Sequence, residues 1–277
     1  MDTKTFTTPG PLSLDVRIPV GTIEVRASDT TETRVTITGE RDEEEVTVDL
    51  TPRPLGGHRL LVAYKPRKTF GWFGGLEDLR CHIEVPTDSE VEAESGSADL
   101  TVIGDVATLV FKSGSGDLSF GDVAGSASAK VASGDVEGGT VGGDLSVHSA
   151  SGDVRIGSVG GGTTVRTASG DTELGDVAGS VQITTASGDV GIERAAGGRL
   201  NLKTVSGDVT VGVSPGTRVW LDLGSTSGEA SAGIPIARNT SPARALDPVR
   251  VFTQIASTII RAKSPNCVRV CPIARRR

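Results

Sequence analysis

Hydrophobic residues recur along the middle of the chain in a pattern that repeats every 18 residues. A Ser-Gly-Asp triplet marks each repeat, and its acid follows the previous one by 18 residues, or once by 19. The acids of these triplets are Asp117, Asp135, Asp153, Asp171, Asp189 and Asp208. A fixed internal period of this kind is typical of folds in which each unit packs only on its neighbours.

Alignment of the repeats separates apolar from polar positions. Apolar residues dominate one, three and six residues after the acid, and four residues before the serine. After Asp153 these positions hold Val154, Ile156, Val159 and Val165, with polar or small residues between them. Alternation with a period of two predicts short strands that bury one face.

Each repeat therefore predicts a strand, a glycine turn, a very short strand and a longer returning strand, which makes three sides per turn. Successive turns would pair in parallel, about 4.8 Å apart. We predict an all-β, single-stranded parallel β-helix, that is, a β-solenoid of about 18 residues per turn. A right-handed coil is favoured because parallel crossovers are overwhelmingly right-handed. A left-handed coil also fits 18 residues, but its hexapeptide pattern is not kept.

The regular repeats occupy residues 96–237, and both flanks depart from them. Residues 1–95 predict degenerate rungs, among them Val20–Asp29, with a capping insertion at 40–80 that we interpret as a hairpin. Such caps are expected because a bare solenoid end is an open sheet edge. Residues 238–277 predict a degenerate last rung followed by a disordered basic tail.

The turn acids and the hydroxyl residues near them have a structural interpretation. A turn aspartate accepts hydrogen bonds from nearby backbone N–H groups. A Ser/Thr column two residues before the turn serine, such as Thr167 and Thr185, would hydrogen-bond along the axis. Bound Ca²⁺ could relieve repulsion between stacked acids, but the calcium-binding β-roll has a nonapeptide period with different glycine spacing. We therefore expect no metal and no cofactor.

Two groups of residues are candidate partner-binding sites. The first is a basic row three residues before each turn serine, interrupted at Thr184: Lys112, Lys130, His148, Arg166 and Lys203. It predicts an anion-binding or partner-binding face, although solvated surface charges would give the same pattern. The second comprises Phe70, Trp72 and Phe73 in a glycine-flanked loop, either an exposed anchor or a cover for the cap.

The charge distribution narrows the classes of partner. The net charge is −7, and residues 239–277 carry eight Lys/Arg against one Asp, so the remaining body is near −14 (−7 − 7). An acidic body argues against nucleic acid as the main ligand. No apolar run is long enough for a membrane span. The N-terminal sequence does not resemble a signal peptide and there are three cysteines, so we expect reduced thiols and a cytoplasmic location.

Signatures of enzyme active sites are lacking in the sequence. The three histidines, His58, His82 and His148, lie in different segments, and no nucleophile elbow or phosphate-binding glycine loop precedes a helix. Some β-helix proteins cleave polysaccharides, but they use long loops and aromatic platforms, whereas aromatic residues make up only 3% of this chain. We expect a protein that is not an enzyme.

Three segments together resemble a known family. They are the Ser-Gly-Asp-Val repeats, the Val20–Asp29 stretch (VGTIEVRASD) and the segment from Val219 to Gly228. The chain resembles, over roughly residues 3–237, a bacterial β-strand-repeat family of unknown function that carries the label putative adhesin. The resemblance implies a β-solenoid fold and leaves the activity open.

The sequence therefore predicts a non-catalytic binding or scaffold protein with an unknown protein partner or with self-association. Two alternatives stay open. One is a scaffold that polymerises end to end, as bactofilin solenoids do, and the other is a carbohydrate-active β-helix enzyme.

Overall fold

A computed structural model describes residues 2–39, 46–54, 56–65, 79–215, 217 and 220–233 of the chain. All of its regular secondary structure is β-strand. The first nine strands are β1 (Asp2–Thr7), β2 (Leu12–Arg17), β3 (Val20–Ser28), β4 (Glu32–Thr38), β5 (Val46–Pro52), β6 (His58–Tyr64), β7 (Leu79–Pro86), β8 (Glu90–Ser95) and β9 (Ser97–Ile103). The next seven are β10 (Thr108–Ser113), β11 (Leu118–Phe120), β12 (Ala127–Ser133), β13 (Val136–Val141), β14 (Leu145–Ser151), β15 (Val154–Val159) and β16 (Thr163–Ser169). The last seven are β17 (Thr172–Val177), β18 (Val181–Ser187), β19 (Val190–Ala195), β20 (Arg199–Ser206), β21 (Val209–Val213), β22 (Trp220–Ser227) and β23 (Ala230–Gly233).

The strands stack into a parallel β-solenoid with two long sheets. Sheet A has the order β1-β4-β7-β3-β9-β11-β13-β15-β17-β19-β21-β23, and sheet B has the order β22-β20-β18-β16-β14-β12-β10-β8-β2-β6-β5. From β8 to β23 each turn contributes one strand to sheet B and the next to sheet A, and residues 18 apart pair in register. The predicted fold class is confirmed, while the right-handed sense stays a prediction.

The predicted three sides are reduced to two sheets. The strand that follows each acid and the very short strand after it form one ladder: Val154 pairs with Thr172 and Val159 with Val177 within the same two strands. The pairing omits Gly157, where the strand bends. A bend at a glycine, rather than a full turn, therefore separates the two predicted strands and keeps their hydrogen bonds in one sheet.

The interior is a continuous apolar column built from the predicted inward positions. Val147, Val165, Ile183 and Leu202 lie above one another in sheet B and are fully buried. Gly138 alone interrupts the facing column of sheet A, and a Cβ atom there would lie 2.2 Å from the Phe120 ring. The large ring of one turn thus occupies the space that the next turn leaves.

The N-terminal strands do not stack in chain order. The turn made by β2 and β3 lies between the turn made by β6 and β7 and the turn made by β8 and β9. Outside it, β5 pairs antiparallel with β6, and β4 pairs antiparallel with β1 and β7. Parallel stacking thus gives way to antiparallel pairing at this end of both sheets.

Candidate functional site

The turn acids form a hydrogen-bonded ladder along the edge where sheet B passes into sheet A. One carboxylate oxygen of each acid accepts a hydrogen bond from the backbone N–H of the acid one turn further on. The distance is 2.9 Å from Asp135 N to Asp117 Oδ1 and 2.8 Å from Asp189 N to Asp171 Oδ1. The ladder runs from Asp99 through all six predicted turn acids to the N–H of Glu229. The acids thus connect successive turns, a role that a local Asx-turn would not give them.

The ladder offsets the repulsion between stacked carboxylates. At Asp153 the backbone N–H of Asp171 lowers the pKa of the carboxyl group, and the Arg155 guanidinium, 2.7 Å away, lowers it further. A carboxylate that accepts backbone hydrogen bonds is stabilised in its charged form. The described residues contain no cluster of His, Cys, Asp and Glu that could hold a metal ion.

Acid should weaken the fold through this ladder. Because the pKa of Asp153 is lower in the folded protein than its ordinary 3.8, its contribution is fully present above about pH 4 and is lost as the pH falls through the folded value. We expect the thermal midpoint of Asp153→Asn to depend less on pH below pH 4 than that of the unchanged protein. Glu173→Gln, on an exposed neighbour outside the ladder, is the control, and equal acid sensitivity of all three proteins would contradict the ladder's role.

The Ser/Thr column lies inside the turn but does not bond in the predicted direction. Thr167 and Thr185 are buried, and each hydroxyl donates to a carbonyl two residues further along its own turn, at 2.9 and 3.1 Å. Only Thr204 and Ser225 also or instead reach the preceding turn. Axial bonding is therefore the exception, because the carbonyls at the turn lie closer than the next hydroxyl.

The basic row is continuous on the outer face of sheet B. Lys112 pairs in register with Lys130, Lys130 with His148, and His148 with Arg166. Thr184 and Lys203 continue the same row on β18 and β20. Adjacent strands therefore hold these side chains about 4.8 Å apart along the solenoid axis.

The ends of the basic row are neutralised and its centre is not. Lys112 lies 2.9 Å from Glu92, which raises the pKa of the lysine, and Lys203 lies 4.0 Å from Asp222. Lys130, His148 and Arg166 form no ion pair with any residue that the structure describes. Like charges that face each other across strands oppose folding, so this row stabilises nothing by itself.

The described cations of sheet A behave differently. Arg155 lies between Asp153 and Glu173, and Arg194 lies 3.3 Å from Asp176. Each of these arginines therefore has an acid on its own or an adjacent strand. The contrast shows that the unpaired centre of the basic row does not follow from a shortage of acids in the chain.

A shallow groove follows the basic row. Its volume is about 710 Å³, and it is lined by Lys130, His148 and Arg166 on one side and by Ala132, Ala150 and the backbone of the inner positions beside them. Ala168 and Ala186 continue the same exposed row, which ends at Val205, whose side chain is 56% exposed. Long cationic side chains next to a row of methyl groups create the concave shape.

Another charged cluster lies at the N-terminal end of sheet B and was not anticipated from the sequence. Asp15 is buried, yet its pKa is lowered: burial would raise it, but hydrogen bonds from Arg17 and Arg59 outweigh that effect. Arg17 lies two residues away, but Arg59 reaches Asp15 only because β6 pairs with β2. Both arginines are consumed by this contact, so we assign the cluster a structural role.

The remaining candidates contribute no chemistry that can be described. Phe70, Trp72 and Phe73 lie outside the described residues, as do Cys267, Cys271 and the basic tail. Cys81 is a free thiol inside the solenoid, and burial raises its pKa to about 12, which keeps it protonated. The described strands include no helix of a length and hydrophobicity that would cross a membrane.

Comparison with known proteins gives a family profile and a set of similar folds. The profile of the Toastrack DUF4097 family matches residues 13–246. A putative adhesin from Parabacteroides distasonis has a similar structure, with a TM-score of 0.52, 12% identity and coverage of 94% of this chain and 95% of that one. No curated protein matches.

Two further solved structures align over similar lengths. A putative lipid binding protein from Parabacteroides distasonis has a TM-score of 0.43 and 15% identity, with 94% of this chain and 93% of that chain covered. A putative adhesin from Parabacteroides merdae has a TM-score of 0.39 and 12% identity, with 94% and 96% covered. At such identities the likeness concerns the fold.

Proposed function

The chain belongs to the Toastrack DUF4097 family, and from this premise we propose that it is a non-catalytic binding module whose outer face of sheet B docks an anionic partner. One observation carries the proposal: Lys130, His148 and Arg166 lie side by side on adjacent strands, and none is paired with a described acid. The names of similar structures, putative adhesin and putative lipid binding protein, are in keeping with a binding role.

The scaffold suits such a role because it fixes the spacing of the side chains. Each cation sits near the middle of a strand that is hydrogen-bonded on both sides, and the residues before and after it point into the apolar interior. The positions of the charges are therefore set before a partner arrives, which reduces the entropy lost on binding. An array of weak sites on one rigid face can act together on a partner with several anionic groups.

Ion-exchange chromatography on a carboxymethyl matrix at low salt tests the docking face. We compare Lys130→Gln/Arg166→Gln with Arg155→Gln/Arg194→Gln. Each pair removes two positive charges and changes the net charge from −7 to −9 (−7 − 2). We expect the unchanged protein and the sheet A pair to be retarded, and the sheet B pair to elute earlier, because oriented patches rather than net charge decide contact with a surface.

Equal elution of both pairs would mean that the basic row makes no special contact with anions, and the proposal would then be wrong. Circular dichroism and thermal melting of each variant establish that the substitutions leave the solenoid folded. All four positions are exposed, so we expect melting temperatures close to that of the unchanged protein.

A further inference from the structure

Three rows of different chemistry run side by side along the groove on sheet B. The first is the unpaired centre of the basic row. The second is the row of alanine methyl groups that ends at Val205. The third is a row of exposed serines that pair in register from turn to turn: Ser133, Ser151, Ser169, Ser187 and Ser206. All three rows repeat with the same spacing because they belong to the same strands.

The side of the groove opposite the cations offers hydrogen-bonding groups without partners. The serine hydroxyls make no hydrogen bond to any described residue. Beyond them lies the acid ladder, in which Asp135 and Asp171 use one carboxylate oxygen for the next backbone N–H. Their second oxygens form no hydrogen bond within the described part of the chain. The groove therefore presents cations on one side, apolar groups in the middle, and hydroxyl and carboxylate oxygens on the other side.

We infer that the groove binds an extended acidic polysaccharide of uronic-acid type along the solenoid axis. A uronic acid carries its carboxylate on one edge of the ring and hydroxyl groups on the opposite edge. The carboxylates would face Lys130, His148 and Arg166, the ring C–H groups would lie on the alanine methyls, and the hydroxyls would donate to the serine and aspartate oxygens. This inference rests on the proposed docking role of the face and adds the chemical class of the partner.

The spacing favours this class over an acidic peptide. A sugar ring linked through opposite carbons advances its chain by roughly one turn of the solenoid, so successive rings can meet successive cations. In an extended peptide, carboxylates on one face recur about every 6.6–6.8 Å, which does not match a turn spacing of about 4.8 Å. Only one or two acidic side chains of such a peptide could meet the basic row at a time.

The composition of the groove disfavours nucleic acid. Binding of single strands relies on bases stacked on aromatic side chains, and residues 121–219 contain no Phe, Tyr or Trp. A phosphate backbone would also bring charge towards the acid ladder and has no row of hydroxyl donors to offer it. The aspartates that repel a uniformly anionic polymer accept hydrogen bonds from the hydroxyls of a sugar.

The location of such polymers has a consequence for the protein. Acidic polysaccharides occur mainly in cell envelopes and extracellular layers. The inference therefore places the binding face outside the cytoplasm, in contrast to the location expected from the N-terminal sequence.

Isothermal titration calorimetry of the full chain with hexagalacturonate at low ionic strength tests the inference. We expect binding that strengthens from the trimer to the hexamer, because each further ring meets a further turn. The fully methyl-esterified hexamer has the same rings without charge and should not bind. Arg166→Gln should weaken binding about tenfold, since a lost charged hydrogen bond is worth about 1.5–3 kcal/mol and 1.4 kcal/mol is a factor of ten.

Arg155→Gln, on the opposite sheet, is the matched control and should bind as the unchanged protein does. Equal binding of the methyl ester, or tighter binding of a hexaglutamate peptide or an oligothymidylate, would overturn the inference. If hexagalacturonate does not bind while the protein is still retained on the carboxymethyl matrix through its basic row, the polysaccharide is wrong and the docking face stands. If both measurements fail, both proposals fall.

Discussion

Replacement of Ile183 by aspartate is expected to abolish cooperative folding. Ile183 has no exposed surface and packs between Val165 and Leu202 in the central column of sheet B. An unpaired charge at this position would cost several kcal/mol, and the loss of the apolar side chain adds to that cost. A domain has only about 5–15 kcal/mol of stability in total. In a solenoid each turn supports its neighbours, so damage in the middle also exposes the turns on either side.

Thermal unfolding followed by circular dichroism at 218 nm, a wavelength chosen for β-structure, would measure the effect. We expect Ile183→Asp to be insoluble or to lack a cooperative transition. Gln182→Asp places the same side chain one residue earlier on the exposed face and should melt close to the unchanged protein. If Ile183→Asp kept the thermal transition of the unchanged protein, residue 183 could not face the interior.

The second large effect is expected for Gly170→Val at the turn of the acid ladder. Gly170 has a φ of +123°, and a Cβ atom there would lie 2.2 Å from the carbonyl oxygen of Gly152 in the preceding turn. A β-branched residue at this φ is strained by about 1–3 kcal/mol even without the clash. Relief of the clash would force adjacent turns apart and break the bonds between their acids. We therefore expect a loss of at least about 3 kcal/mol in the free energy of unfolding.

Urea denaturation compares this variant with Gly191→Val in the next turn. Gly191 lies within β19 and has no positive φ, and a Cβ atom there would meet only the Thr172 carbonyl oxygen, at 4.0 Å. Valine suits a strand, so this control should be neutral or slightly stabilising. Equal denaturation midpoints for the two variants would show that the turn glycines are not required by backbone geometry.

These two variants test the property that matters for binding, namely the fixed spacing of successive turns. The core column and the glycine turns hold the strands in register, and the register in turn holds the basic row in line. A variant that loosens the stack should also weaken any partner that contacts several turns. Binding to long partners should therefore suffer more than binding to short ones when the turn spacing is disturbed.

The repeat itself was readable because its period fixes two relations at once. Residues 18 apart must be neighbours on adjacent strands, and alternation within a strand decides which of them face inward. Val165 and Ile183 could be placed in the core, and Lys130 and Arg166 on one outer face, from these two relations alone. The N-terminal part lacks the period, so the position of β2 and β3 between two later strands could not be deduced.

What the sequence determined by itself is the solenoid, the length of its turn and the identity of its inner and outer rows, since these follow from periodicity and burial. Only the tertiary structure decided that each turn acid bonds to the next turn, that Arg59 reaches Asp15, and that Lys130, His148 and Arg166 lack described acid partners. Hydrogen bonds and ion pairs depend on distances of a few ångströms between side chains of different strands. A pattern of residue types sets which strands are neighbours, but the packing of the folded chain sets which atoms meet.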